Sequence, residues 1–201
     1  MERRAHRGAL GAALLVLASS LPASAAIESG VEFADRTLVG APDAETRLEL
    51  CGTALQRVRR LFKGYAAALY RRRCQQGTQA LRLGESPVRL ELSYFWRIRA
   101  ERFGETAEKI LRRNLDVAEF GRLEPRLRRL HTAYRSVEPG DRYALTYIPG
   151  RGTELALNGR RLALIDGEDF ARAYFGIWLG EQPIDERVRD FLLGEREEDG
   201  R

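Results

Sequence analysis

Beyond its first 25 residues the chain has one histidine, His131, two lysines, Lys63 and Lys109, and two cysteines, Cys51 and Cys74, in an arginine-rich background. Few chemistries can be built from that set. A hydrolytic nucleophile needs a base beside it and a third group to orient the base. Any such arrangement, and any histidine metal site, would depend on His131, which lies in an Arg-rich stretch and reads as a surface or packing residue. The CxxC and multi-cysteine spacings of metal sites are absent, so no metal is expected. No Walker-type or GxGxxG loop opens a helix, and Gly150-Arg151-Gly152 fits a hairpin turn, so no nucleotide and no cofactor is expected either. Arginine clusters at 71–73 and 126–129 invite a nucleic-acid reading. Against it, removing Arg3, Arg4, Arg7 and Glu2 with the leader lowers the formal charge from +5 to only +3. That is too little for a phosphate-tracking face, and solvated surface is the better account.

The leader itself is legible. Arg3, Arg4 and Arg7 precede an apolar run from Leu10 to Leu21, and Ala23-Ser24-Ala25 forms an A-x-A cleavage site. A run of about 12 apolar residues falls short of the roughly 20 that a membrane-spanning helix needs, so residues 1–25 read as a cleaved secretory signal. The mature chain is expected to begin near Ala26, in the periplasm, with no transmembrane anchor. Residues 26–194 form one domain of ordinary size, and 195–201 read as a disordered tail. An oxidising compartment permits a disulfide. However, Cys51 and Cys74 flank one long predicted strand, which places them too far apart to bridge.

The elements follow from periodicity. Short strands are predicted at 31–36 and 46–50, and a long one at 57–70, RVRRLFKGYAAALY, although its alanines also suit a helix. Val88, Leu90, Leu92, Tyr94 and Trp96 alternate with polar residues along a strand at 88–96. Phe103, Ala107, Ile110 and Leu111 then recur at helical spacing over 100–114. A second helix is predicted over 125–136, with Pro125 in its first turn. Three meandering strands carry Tyr143, Leu145 and Tyr147, then Leu155 and Leu157, then Leu162 and Leu164, with Asn158-Gly159 as a tight hairpin turn. A helix follows from about 168 to 180, and a last short one at 185–193 starts from Asp185 as N-cap. This order points to an α+β fold: a large, mostly antiparallel sheet with helices gathered on one face.

The segments NG-(strand)-GEDFA-x-AYFGIWLGEQP, starting at Asn158, and LCGTALQRVRRLFKGYAAALY, at 50–70, resemble the bacterial chalcone isomerase-like family. The resemblance implies an open-faced sandwich that holds ligands between sheet and helices, and it favours a strand over 57–70. Plant members of the fold close a flavanone ring with an arginine, hydroxyl donors and an amide. Matching the motifs puts Tyr65 at the strand threonine, Phe103 at the tyrosine, Ile110 at the asparagine and Ile177 at the late Thr/Ser. Three polar donors become apolar, which argues against that cyclisation; ordinary core is the plainer reading of the three.

The non-catalytic fatty-acid-binding branch of the family implies another use, in which Arg57 and Tyr65 hold a carboxylate and the helix carrying Ile177 and Trp178 lines an apolar cleft. Eight residues of straight strand span about 26 Å, so Arg57 and Tyr65 can share one ligand only if the strand is broken or bulged. Arg59 and Arg60 are alternatives to Arg57, and solvated arginines are the plain reading of all three. The expected function is binding of a small amphipathic, fatty-acid-like ligand without transforming it. The alternatives are an isomerase or intramolecular lyase on another substrate, or an envelope interaction module.

Overall fold

Side chains along a strand point alternately to opposite faces, and this chain uses the alternation to build one sheet with two different sides. The protein is described by a computed structural model over residues 25–41, 43–59, 61–74, 83 and 86–195. The leader at 1–24 and residues 196–201 of the predicted tail lie outside the described residues. Seven strands form an antiparallel sheet in simple chain order: β3 (Arg36–Val39), β4 (Thr46–Val58), β5 (Phe62–Arg71), β6 (Val88–Tyr94), β7 (Arg142–Ile148), β8 (Gly152–Leu157) and β9 (Arg160–Ile165). Two strands before them, β1 (Ala25–Glu28) and β2 (Val31–Ala34), make a separate hairpin. The helices α1 (Ala100–Asn114) and α2 (Val117–Ala133) are inserted between β6 and β7, and α3 (Glu168–Leu179) and α4 (Glu186–Leu192) follow β9. The expected α+β arrangement, a large antiparallel sheet under a helical layer, is what the chain forms.

One face of the sheet packs on the helices. Tyr65, Ala67 and Leu69 of β5, Leu90, Leu92 and Tyr94 of β6, and Tyr143, Leu145 and Tyr147 of β7 share a core with Leu111, Leu127, Phe170, Tyr174 and Trp178. The opposite face is not fully open. Ala66, Ala68 and Tyr70 form a smaller core with Leu48 and with Phe33 of the β1–β2 hairpin. Arg142 lies over the Phe33 ring at 4.6 Å and also meets buried Glu91 at 3.1 Å, while Arg89 reaches Glu91 at 2.8 Å. A charged cluster therefore fastens the hairpin to the back of the sheet.

Three expectations need correction. The predicted single strand at 57–70 is the end of one strand, a tight turn and the start of the next. Val58 pairs with Phe62, Arg57 with Lys63 and Gln56 with Tyr65. The turn carries Arg59 at φ 49°, a left-handed conformation that glycine or asparagine usually announces. Because β4 and β5 run back along each other, Cys51 and Cys74 come together and form a disulfide with a Cα–Cα distance of 5.1 Å. The second helix starts eight residues before Pro125. It is capped by Asp116, whose carboxylate accepts from the Glu119 N–H at 2.8 Å, while Glu119 reciprocates on the Asp116 N–H. Pro125 thus sits inside α2.

Other local readings hold. Asn158 (φ 50°) and Gly159 (φ 79°) make the predicted turn of two positive-φ residues, and Asp185 caps α4 through the N–H groups of Arg187 and Val188. Arg126 forks onto the Asp169 carboxylate at 2.8 and 2.6 Å, tying α2 to the first turn of α3. The positive φ of Gly167 (100°) favours glycine there, and a Cβ would also push the Arg126 guanidinium out of its place on Asp169.

Candidate functional site

Between the sheet and the helical layer lies a cavity of about 290 Å³, at the small end of ligand sites. Alternation supplies its floor: Tyr65 from β5, Leu92 and Tyr94 from β6, Tyr143 and Leu145 from β7, and Leu155 from β8. Helical spacing supplies its roof. Arg102, Phe103, Thr106 and Ala107 come from successive turns of α1, and Tyr174, Ile177 and Trp178 from α3. Tyr134, just past α2, closes the back by stacking on Phe103 with ring centroids 4.9 Å apart. The edge is formed by partly or fully exposed residues, among them Gln56, Val58, Trp96, Arg102 and Thr106.

Most of the polar atoms in the walls are already used. The Trp178 indole N–H donates to the Tyr65 hydroxyl at 3.1 Å, and the Tyr134 and Tyr174 hydroxyls bond each other at 2.9 Å. The Tyr143 hydroxyl accepts from the Arg135 N–H at 2.7 Å and donates to the Arg135 carbonyl at 2.8 Å. Tyr94 differs. It is packed edge-on against Tyr65, Phe103 and Tyr143, yet its hydroxyl has no hydrogen-bond partner among the described residues.

Burial pushes the Tyr65 phenol up strongly, with the Trp178 N–H opposing the shift. Tyr94 and Tyr174 are raised by burial first and by neighbouring tyrosine hydroxyls second, and Tyr134 by burial first with the Tyr174 hydroxyl opposing it. All four therefore stay protonated at neutral pH and offer donors, not bases. No carboxylate, histidine, lysine or cysteine is among the residues lining this cavity.

The predicted site residues divide. Tyr65, Phe103, Ile177 and Trp178 line the cavity together. Ile110 is buried in the same core but is not part of the cavity wall. Arg57 is exposed and borders a different groove, with Glu28, Asp185 and Glu186. The broken strand does bring Arg57 close to Tyr65 along the chain path. However, Tyr65 is paired with Gln56, so Gln56 shares its cavity face and Arg57 is turned to the other. Arg59 is exposed in the turn, and Arg60 lies outside the described residues.

Sequence reasoning missed Tyr94, Arg102, Gln56 and the Tyr134–Tyr174 pair as site residues. Tyr94, Tyr134 and Tyr174 were legible as inward positions, but nothing in the pattern separates a tyrosine with a satisfied hydroxyl from one without. Arg102 is one arginine among many. His131 is a packing residue: its ring rests against Gly104, where a Cβ would come within 3.0 Å, and burial lowers its pKa against the opposing pull of Glu108. Among the described residues no cluster of three or more His, Cys, Asp or Glu side chains could hold a metal.

Comparison with known proteins gives two findings. A family profile described as chalcone isomerase-like matches residues 25–194. Among solved structures, the crystal structure of a fatty-acid binding protein from Arabidopsis thaliana superposes with a TM-score of 0.63 at 15% identity, covering 86% of this chain and 97% of that one. No curated protein matches the sequence.

Proposed function

The chain belongs to the chalcone isomerase-like family, and we propose that it uses this fold to hold a small amphipathic ligand, such as a medium-chain fatty acid, without transforming it. The observation that carries the reading is the cavity itself, with apolar and aromatic walls, one unpartnered hydroxyl on a buried residue, Tyr94, and one cation, Arg102, at its edge. Its 290 Å³ amounts to roughly ten water volumes, which suits an alkyl tail and leaves a polar head at the rim. Arg102 is free to serve that head. Its ion pair with Glu105 (2.9 Å) is exposed on both sides, and such pairs contribute about 0–1 kcal/mol, so a ligand carboxylate can replace it. The name of the Arabidopsis protein of the same fold supports a fatty-acid-like ligand. The protonated phenols and the absence of a base from the lining residues support binding over proton-transfer chemistry.

Titration calorimetry with laurate tests the proposal. The folded protein is expected to bind saturably, and Arg102→Ala to weaken binding by about ten- to hundredfold, the effect of losing a hydrogen bond to a charged group. No heat of binding to the folded wild type would overturn it.

We place the protein in the periplasm on the strength of the leader. The Cys51–Cys74 bridge suits an oxidising compartment, and no helix among the described residues is long and apolar enough to cross a membrane. Cell fractionation should find the chain in the periplasmic fraction with an amino terminus near Ala26. A full-length chain retained in the cytoplasm would reject that placement.

A further inference from the structure

We infer that the tip of the β4–β5 hairpin docks the protein on an anionic lipid surface, with the mouth of the cavity facing the bilayer. Seven large apolar side chains are exposed among the described residues, and four of them are gathered here: Val58 (48%), Leu61 (77%), Phe62 (51%) and Trp96 (54%). Their proximity is fixed by structure. Val58 and Phe62 are cross-strand partners, and Leu61 lies between them in the turn, its N–H bonded to the Val58 carbonyl at 3.2 Å. Trp96 meets Phe62 edge to face at 6.2 Å. The Trp96 indole N–H donates to the Lys63 carbonyl, so its one polar atom is already satisfied and the ring presents apolar surface.

Charge selects the occupant. The hairpin segment at 57–63, RVRRLFK, carries four cations and no anion. Arg57 and Arg59 are exposed and make no ion pair among the described residues. Aromatic and leucine side chains flanked by arginine and lysine are the composition of segments that lie in a lipid interface, and each basic residue near an anionic surface strengthens attachment by about fivefold. The tip is small, so attachment is weak and reversible. Position adds the second argument. Val58 and Trp96 belong both to the apolar tip and to the rim of the cavity, so an alkyl chain leaving the bilayer would enter the cavity without crossing water. That last step rests on the proposed ligand-binding reading; the docking itself does not.

Sedimentation with large vesicles separates the two. The wild-type protein is expected to co-sediment with vesicles of phosphatidylcholine containing phosphatidylglycerol, at least tenfold more than with phosphatidylcholine alone, and less as salt is raised. Leu61→Asp with Phe62→Asp should abolish co-sedimentation. Neither residue lines the cavity, so laurate affinity in solution should stay as in wild type. Equal partition onto neutral and anionic vesicles, or no partition by a protein that binds laurate normally, would overturn the docking while leaving the ligand site intact. Concentration-dependent dimers that dissociate in the Leu61→Asp, Phe62→Asp variant would overturn it in favour of a second copy of this chain. Vesicle binding without laurate binding would uphold the docking and reject the ligand.

Discussion

Reduction of the Cys51–Cys74 bridge is expected to lower the unfolding free energy by about 3 kcal/mol, read from urea unfolding of oxidised and reduced protein and of a Cys51→Ser, Cys74→Ser variant. The bridge joins residues 23 apart in sequence and closes a loop that contains all of β5 and the part of β4 from Cys51 onward. In the chain-entropy view such a loop removes about 3 kcal/mol of freedom from the unfolded chain. Native contacts hold the two cysteines near each other without the bond, since Glu49 pairs with Arg71 and Leu50 with Tyr70 at the same end of the hairpin. The reduced protein should therefore still fold, and its cavity should survive at the far end, beside the Gln56–Tyr65 pair. Loss appears as a lower urea midpoint. Coincident midpoints for oxidised and reduced protein would show that the bridge contributes nothing.

The same hairpin marks where the sequence could and could not be read. Strands with clean alternation, such as 88–94 and 143–147, and helices with three- and four-residue spacing, such as 100–114, are legible because one face of each is buried against one core. The Asn158-Gly159 turn is legible because those residues tolerate positive φ. The turn at 59–61 has no such residue. Arg59 takes a left-handed conformation with nothing in the sequence to announce it, so two strands read as one. On that single rod the cysteines fall at opposite ends and Arg57 lies on the same strand as Tyr65, neither of which the folded hairpin keeps. The early start of α2 is hidden for a similar reason. Pro125 reads as a first-turn proline, whereas the Asp116–Glu119 capping box sets the true start. At the site, motif resemblance found four of the cavity residues. It could not find Tyr94 or Arg102, because what distinguishes them, an unused hydroxyl and a place at the rim, depends on partners far away in sequence.

Filling the cavity separates a binding site from a packing defect. Ala107 is 4% exposed on α1, one turn after Phe103, and forms part of the cavity wall. In Ala107→Phe the ring would enter the 290 Å³ space, and laurate affinity measured by calorimetry is expected to fall by at least about a hundredfold, or roughly 2.7 kcal/mol. Stability should hold or rise, since new dispersion contacts line a former void. If the ring fits poorly, the cost is about 1–3 kcal/mol, which unfolding measurements would register separately from binding. The two results together carry the inference. A folded Ala107→Phe protein that has lost laurate places the ligand between sheet and helices. If Ala107→Phe binds laurate as tightly as wild type does, the ligand lies elsewhere, and the groove beside Arg57, Glu28 and Asp185 becomes the place to look. That groove brings three carboxylates, Glu28, Asp185 and Glu186, beside two arginines, Arg57 and Arg187, so a fatty acid there would meet repulsion as well as attraction. The apolar cavity, where no carboxylate is among the lining residues, is the better host on electrostatic grounds as well as on shape.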